Sequence, residues 1–469
     1  MSLLQDYLLQ INGALRLPPK EQPAHLAALL SVYPTNQYVV KICNLGTLSA
    51  AQVGEAIDRR NWHNGEWPAF ELVVKSFVML CSQMNPWSVL ESFDLYSTYL
   101  NDVSVAFSNK TRGHLLTPLF KSVVETIIPM AKQLDTQMLL KELHRRPRLT
   151  YVAAIVLKGF NHIRSLLGAN DHFEAAKKSI MLFLGGRLCL IYFTLCNPLL
   201  CQNVFANMNN ANLHIATFAQ SELMFYRYYL ASFYKVKYQF IDAYQHFMWC
   251  LHHLPANYST NSHNATIIMR DLIPLSIMLG KRPNLAAFQQ LFYTDASEVP
   301  SFFALYATLL HAVRCGSLYQ LHHILNDEKN LQFLRKHQLH VIVASKSLIL
   351  VLRNLLRLVW CISGKPNRLH YDQMGTALRV SLGGLDISAV TTLAQHSNSE
   401  DSNTNFNLIV ENWLVSLIDQ NLLKGKVLAR HRVVALAKRD PFPAVDTINF
   451  LKFGNGPEGT LAYTDKWMA

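Results

Sequence analysis

The spacing of apolar residues is the feature that most constrains how this chain folds. Phe70, Val73, Val74, Phe77, Val78 and Cys81 follow the order i, i+3, i+4, i+7, i+8, i+11, which places them on one face of a helix. Similar stripes recur over residues 115–134, 175–195, 223–233 and 241–251. Polar or proline-containing breaks lie at residues 85–86, 197–198, 255–257 and 281–284. This alternation predicts an all-α fold, in which paired helices stack as a right-handed, tetratricopeptide-like solenoid.

The pattern changes after residue 340. Helices are predicted at 347–363, 371–381 and 405–420, and the apolar face of the third consists of Phe406, Ile409, Val410, Trp413, Leu414 and Leu417. Two β-like runs follow, at 426–429 and 433–437, with Ala429-Arg430-His431-Arg432 as the hairpin tip. Three helices followed by a hairpin predict a winged helix, with strands confined to about 426–437. The polar residues 395–403 are expected to form a mobile loop.

These patterns predict four regions along the chain. Residues 1–170 form an N-terminal helical region, and residues 171–345 form the helical repeats. Residues 346–445 form the winged-helix subdomain, and residues 446–469 form a flexible, glycine-rich tail.

Composition limits the compartment and the partners. Half of the 469 residues are hydrophobic and the formal net charge is +12, so acidic partners are favoured. None of the eight cysteines forms a C-x-x-C pair, which predicts buried free thiols in a reducing compartment. The start of the chain lacks the pattern of a signal peptide. The apolar stretches 188–200 and 347–362 are interpreted as buried helices, and no membrane insertion is expected.

No motif for catalysis, cofactor binding or metal binding stands in a suitable context. Gly454, Gly456 and Gly459 spell G-x-G-x-x-G, but Pro457 lies inside the motif and no helix is predicted after it. There is no H-E-x-x-H, no phosphate-binding G-x-x-x-x-G-K-[ST] and no G-x-S-x-G. The sequence therefore predicts a protein that is not an enzyme and that binds no cofactor or metal.

A basic cluster is the candidate functional site. Between Leu422 and Arg439 the chain carries cations and no acid, and further cations lie on and after the first helix of the predicted winged helix. The candidate nucleic-acid-binding residues are Lys424, Lys426, Arg430, His431, Arg432, Lys438, Arg439, Arg353, Arg357, Lys365 and Arg368. Alternatively, these charges are solvated or face a protein. A second basic patch, Lys141, His144, Arg145, Arg146 and Arg148, is interpreted as a solvated helix end or a nuclear-import signal.

Several short motifs resemble one protein family in their order. They are Tyr226-Arg227-Tyr228-Tyr229-Leu230, Leu272-Ile273-Pro274-Leu275, Leu279-Gly280-Lys281, Val313-Arg314-Cys315-Gly316-Ser317-Leu318, Leu352-Arg353-Asn354-Leu355 and Lys438-Arg439-Asp440-Pro441-Phe442-Pro443. The chain resembles the PCI-domain proteins, and within them the branch of the nuclear transcription and export complex 2 and of a signalosome-associated subunit. Asn85-Pro86-Trp87-Ser88 and residues 182–205 resemble the fungal export-complex member. Ala231-Ser232 departs from the Gly-Arg that relatives often carry.

The resemblance implies a non-catalytic adaptor in mRNA export, located in the nucleus at the nuclear pore. Its implied partners are a large helical scaffold subunit, a small acidic disordered subunit shared with the proteasome lid, and RNA or DNA. In this family the winged helix lies beside that of the scaffold. The alternative is a subunit of a signalosome-like or lid-like assembly whose function is purely protein–protein interaction.

Overall fold

The computed structural model describes residues 2–468 apart from positions 34, 47, 86 and 212 and the segments 142–145, 167–171, 256–262, 294–295, 386–401 and 454–462. Three features of the sequence fall outside the described residues. They are the G-x-G-x-x-G motif, most of the predicted polar loop, and the centre of the basic patch between Lys141 and Arg148.

Contacts divide the chain into two compact units. The first comprises residues 1–233 together with 464–469, and the second comprises residues 234–463. The expected boundaries near 170 and 345 therefore lie inside these units, and the division into four functional regions stays a prediction.

The first unit is built from helices packed on their neighbours in sequence: α5 (Pro68–Gln83) packs on α6 (Val89–Phe107), α6 on α7 (Thr117–Gln137), and α7 on α8 (Pro147–Ser165). The stripe from Phe70 to Cys81 lies in α5 and is fully buried, which confirms the helical interpretation. The segment predicted at 175–195 is two helices. The helices are α1 Ser2–Leu15, α2 Gln22–Leu30, α3 Gln37–Cys43, α4 Ala50–Asp58, α5 Pro68–Gln83, α6 Val89–Phe107, α7 Thr117–Gln137, α8 Pro147–Ser165, α9 His172–Lys178, α10 Met181–Thr194, α11 Cys201–Asn209 and α12 Gln220–Val236, within which the unit ends.

The second unit begins with further helices and ends with the winged helix. Its helices before the first strand are α13 Phe240–His252, α14 His263–Met278, α15 Leu285–Phe292, α16 Phe302–Cys315, α17 Leu318–Asn326, α18 Glu328–Lys336 and α19 His340–Ile362. Among the described residues before 340 no strand forms. The predicted fold class, helical repeats followed by a winged helix, is confirmed.

Gly316 makes a close turn between α16 and α17. It ends α16 with a left-handed φ of 68°, and an added Cβ would lie 2.7 Å from the Leu355 Cα in α19. Ser381 donates a hydrogen bond to the Gly316 carbonyl at 2.7 Å and accepts one from the Leu318 amide at 2.9 Å. The motif from Val313 to Leu318 therefore packs directly on the winged helix.

The winged helix contains one more strand than predicted. After α19 come β1 Arg368–His370, α20 Tyr371–Leu382, α21 Ser402–Asp419, β2 Gly425–Leu428 and β3 Val433–Leu436. The prediction that strands are confined to 426–437 is wrong, because β1 pairs antiparallel with β3 and completes a sheet of order β1-β3-β2. A strand of three residues is too short to show alternation. Helix α19 also begins earlier than predicted, at His340 rather than Ser347.

The region predicted as a flexible tail includes ordered elements. Helix α22 spans Val445–Phe453, and the Asn449 side chain donates to the Leu279 carbonyl at 3.3 Å. A 3₁₀ segment spans Tyr463–Met468, and its residues 464–468 belong to the first unit.

The eight cysteines are all free, as predicted, but they are not all buried. Cys196, Cys315 and Cys361 are exposed, so the prediction of buried thiols is wrong for these three. Each lies at or just beyond the end of a helix, where the buried stripe no longer covers the side chain.

No described helix is by itself long and apolar enough to cross a bilayer. Helices α18 and α19 meet at 114°, and only when taken together are they long and apolar enough for a span. The core of α19, including Leu350, Val351 and Leu356, is buried among its neighbours.

Candidate nucleic-acid interface

The tip of the wing presents three basic side chains to solvent. Strands β2 and β3 pair in register from Gly425 opposite Leu436 to Leu428 opposite Val433. Between them lies the wing tip, residues 429–432, a 3₁₀ turn closed by Arg432 with a left-handed φ of 50°. Arg430, His431 and Arg432 are all exposed. Val433, Val434 and Leu436 of β3 are buried, so the predicted tip projects from an apolar hairpin core.

Strand β1 brings Arg368 onto the same sheet as the hairpin. Arg368 pairs with Ala435, and Ala435 pairs with Lys426 on its other side. Paired residues project from the same face, so Arg368 and Lys426 flank a small alanine at a Cα separation of about 10 Å, two strand spacings. Both side chains are exposed. The outer face of the sheet therefore carries two cations that are far apart in the sequence.

The segment after β3 folds back beside β2 and carries Lys438 and Arg439. The Lys424 amide donates to the Pro441 carbonyl at 2.8 Å, and the Ala437 amide donates to the Lys424 carbonyl at 2.9 Å. Asp440 lies 3.8 Å from the Lys424 ammonium, and both side chains are exposed. One cation of the predicted cluster is thus partly neutralised by the acid that directly follows Arg439.

Arg353 does not reach the surface. It is 5% exposed and donates to the Phe442 and Pro443 carbonyls, at 3.3 and 2.6 Å. Burial, with Arg357 nearby, lowers the pKa of Arg353 to about 10, so the side chain remains charged at neutral pH. Because it is buried and bonded to backbone, Arg353 is a positioning residue for the segment 438–443, and we leave it out of the nucleic-acid interface.

Arg357 and Lys365 are exposed, on α19 and just after it. The Lys365 ammonium lies 5.9 Å from the Trp360 ring centre, and that ring packs on Phe442 at 5.4 Å. Lys365 therefore lies beside the segment 438–443. We call the exposed set the basic surface; it consists of Arg357, Lys365, Arg368, Lys424, Lys426, Arg430, His431, Arg432, Lys438 and Arg439.

The third helix of the module, α21, is not basic. In helix-turn-helix proteins this helix enters the major groove and reads base edges. Here it contains no lysine or arginine, it carries Glu411 and Asp419, and its exposed positions include Leu408 and Val415. The cations therefore lie on the wing and sheet, which suits contact with phosphates better than readout of bases.

No three His, Cys, Asp or Glu side chains come together as possible metal ligands in the part of the chain that the structure describes.

Comparison with known proteins finds relatives of this chain. No protein-family model matches the chain. The nuclear mRNA export protein THP1 of Saccharomyces cerevisiae is 26% identical over 382 residues, which cover 79% of this chain and 81% of that protein. A PCI domain-containing protein of Schizosaccharomyces pombe is 25% identical over 362 residues, which cover 76% of this chain and 74% of that protein. The CSN12 homolog of Schizosaccharomyces pombe is 26% identical over 267 residues, which cover 56% of this chain and 54% of that protein.

The relatives and the architecture agree with each other. Two of the relatives match more than three quarters of this chain, and one of them is named for the PCI domain. The structure shows helical repeats followed by a winged helix. The resemblance inferred from the sequence is therefore confirmed: the chain is similar to a PCI domain-containing protein and to a nuclear mRNA export protein over more than three quarters of its length.

Proposed function

We propose that this protein is a non-catalytic adaptor of a transcription-export complex in the nucleus, at the nuclear pore, and that its winged helix binds nucleic acid during mRNA export. The observation that carries the nucleic-acid part is the basic surface, in which a strand from before α20 and a hairpin from after α21 place cations on one sheet. The export part is supported by the similarity to the nuclear mRNA export protein of Saccharomyces cerevisiae.

Binding on this surface would be mainly electrostatic. Lysine and arginine side chains on an exposed sheet and wing tip neutralise phosphates and release counterions, which gives affinity without sequence preference. Since α21 offers no basic side chain to a groove, base contacts would contribute little. RNA and DNA single strands are therefore expected to bind with similar affinity and a steep dependence on salt.

The wing tip is the place to test the proposal. We expect the double substitution Arg430→Gln and Arg432→Asn to weaken binding to any oligonucleotide about equally. Asparagine is chosen at position 432 because it tolerates the left-handed backbone found there. If both side chains contact phosphates, the slope of log affinity against log salt should flatten by roughly 1.4–1.8, at about 0.7–0.9 per contact. Fluorescence anisotropy with labelled RNA and DNA at several salt concentrations measures both effects.

The matched control removes the same charge elsewhere. Arg16 and Arg59 are exposed in the first unit, and the pair Arg16→Gln and Arg59→Gln lowers the net charge by the same amount. We expect this control to bind like the wild type. An unchanged salt slope in the wing-tip variant, or an equal loss in both variants, would show that the wing tip is not a local contact.

The second candidate function is a purely protein-binding subunit of a signalosome-like assembly. The similarity to the CSN12 homolog of Schizosaccharomyces pombe supports it, as does the apolar exposed surface of α21. An unchanged salt slope in the wing-tip variant would favour this function over the first.

A further inference from the structure

The first residues of the motif that begins at Tyr226 contact a later segment of the same chain. Tyr226 and Arg227 of α12 are buried, and the Tyr226 ring packs against Phe205 of α11 at 5.5 Å. The Phe205 ring also packs on the Phe233 ring, with 5.1 Å between the ring centres. Phe205, Tyr226 and Phe233 therefore form an aromatic cluster that joins α11 and α12. This motif plays no part in the nucleic-acid interface.

The segment Tyr463–Met468 packs on this aromatic cluster. The Trp467 indole Nε1 donates to the Asn209 side-chain oxygen at 2.9 Å, and its ring lies 5.9 Å from the Tyr226 ring. Asn209 is the last residue of α11, and Trp467 is half-buried. Tryptophan is enriched among the residues that anchor interfaces, because the indole offers both a large apolar ring and an N–H donor.

The segment also buries two further residues, one directly after the tryptophan and one two positions before it. Met468 is 1% exposed, and its carbonyl accepts a hydrogen bond from the Arg227 guanidinium. Asp465 is also 1% exposed, so the segment brings a carboxyl group into the same unit as the buried Arg227. A buried guanidinium is costly without acceptors, and the segment supplies one.

We propose that the face of α11 and α12 formed by Asn209, Tyr226 and Arg227 is a binding site for a short segment anchored by tryptophan, and that residues 463–468 are its tethered ligand. The site recognises the indole through Asn209 and Tyr226, and the backbone after it through Arg227. Residues 463–468 occupy the site within one molecule and exchange with a free peptide of the same sequence.

A peptide of residues 460–469 with a fluorescent label tests the site in full-length protein. Trp467→Ala should release the tethered segment, so the peptide should bind this variant saturably. Binding to the wild-type chain should be roughly tenfold weaker or more, because a tethered segment competes at an effective concentration in the millimolar range. A labelled peptide carrying Trp467→Ala should bind neither chain.

Two further variants keep the test independent of damage to the fold. Trp87→Ala removes a tryptophan that is 95% exposed in the same unit, and it should bind the peptide as weakly as the wild type. Asn209→Ala removes only the acceptor for the indole, so it should lower peptide affinity when combined with Trp467→Ala. The same peptide affinity for the wild-type and Trp467→Ala chains, or no saturable binding to the latter, would overturn the proposal. A concentration-dependent dimer that Trp467→Ala abolishes would overturn the intramolecular assignment and point to a second copy.

Discussion

At the scale of single residues, burial distinguishes cations that stabilise the fold from exposed cations that can contact phosphates. Lys235 and Asp271 are 5% and 0% exposed, and the lysine Nζ lies 2.7 Å from the carboxylate. Arg270 approaches the other carboxylate oxygen at 2.8 Å. Burial alone would raise the pKa of Asp271, but Lys235 and Arg270 together lower it below its ordinary value. Like Arg353, these residues hold the fold and are not available to phosphates.

We expect Lys235→Met to destabilise the second unit by about 3–5 kcal/mol, because breaking a buried pair leaves a buried charge poorly compensated. The lowered pKa of Asp271 also fixes the pH dependence. In the wild type the contribution of this carboxylate is present above its ordinary pKa of about 4, and it is lost as the pH falls further. The free energy of unfolding, measured by urea titration between pH 3 and pH 7, should therefore fall less on acidification in the variant. Lys336→Met removes an exposed lysine of the same unit and should leave stability nearly unchanged.

At the scale of secondary structure, the basic surface depends on which strand lies next to which. Lys424 and Lys426 have the same charge and lie two residues apart, but only Lys424 has Asp440 beside it. Lys426 instead shares a row of the sheet with Arg368. The two lysines should therefore contribute unequally to nucleic-acid binding.

We expect Asp440→Asn to strengthen oligonucleotide binding and to steepen its salt dependence, because Lys424 would no longer be partly neutralised. Asparagine tolerates the left-handed φ of 45° at this position, so the turn should be kept. Asp94→Asn changes the net charge equally at an exposed site in the first unit, and anisotropy titrations should show no gain for it. Equal gains for both variants would mean that overall charge, and not the local pair, controls binding.

The winged helix also shows what sequence can and cannot predict. The buried face of α21 was predicted because periodicity over many residues reports burial directly. Strand β1 was missed, since three residues gain their structure from pairing with β3 rather than from local preference. The burial of Arg353 was missed for a similar reason. Its partners are carbonyls 89 and 90 residues later in the chain, which no local pattern reveals.

At the scale of the whole molecule, the net charge of +12 favours acidic partners. In the second unit a cavity of about 500 Å³ is lined by Lys235, Arg335 and His340 together with Tyr238, Val341 and others. Tyr238 and Val341 are 53% and 63% exposed. Lys235 is paired with Asp271, whereas Arg335 is exposed, so Arg335 is a basic side chain of the cavity that can contact an acidic ligand.

We expect a small acidic disordered subunit of the kind that the family resemblance implies to stabilise this protein, with the cavity as one of its contacts. A partner that binds only the folded state adds about 2.7 kcal/mol at a hundredfold excess over its Kd, so solubility and Tm should both rise on co-expression. Arg335→Glu should weaken this effect, because it places an acid where the partner is acidic, whereas Arg314→Glu reverses an exposed charge of the same unit away from the cavity and should not. Unchanged Tm and solubility with the acidic subunit would remove it from the proposed partners. A gain that both variants lower equally would keep the subunit as a partner but assign its attraction to overall charge instead of the cavity.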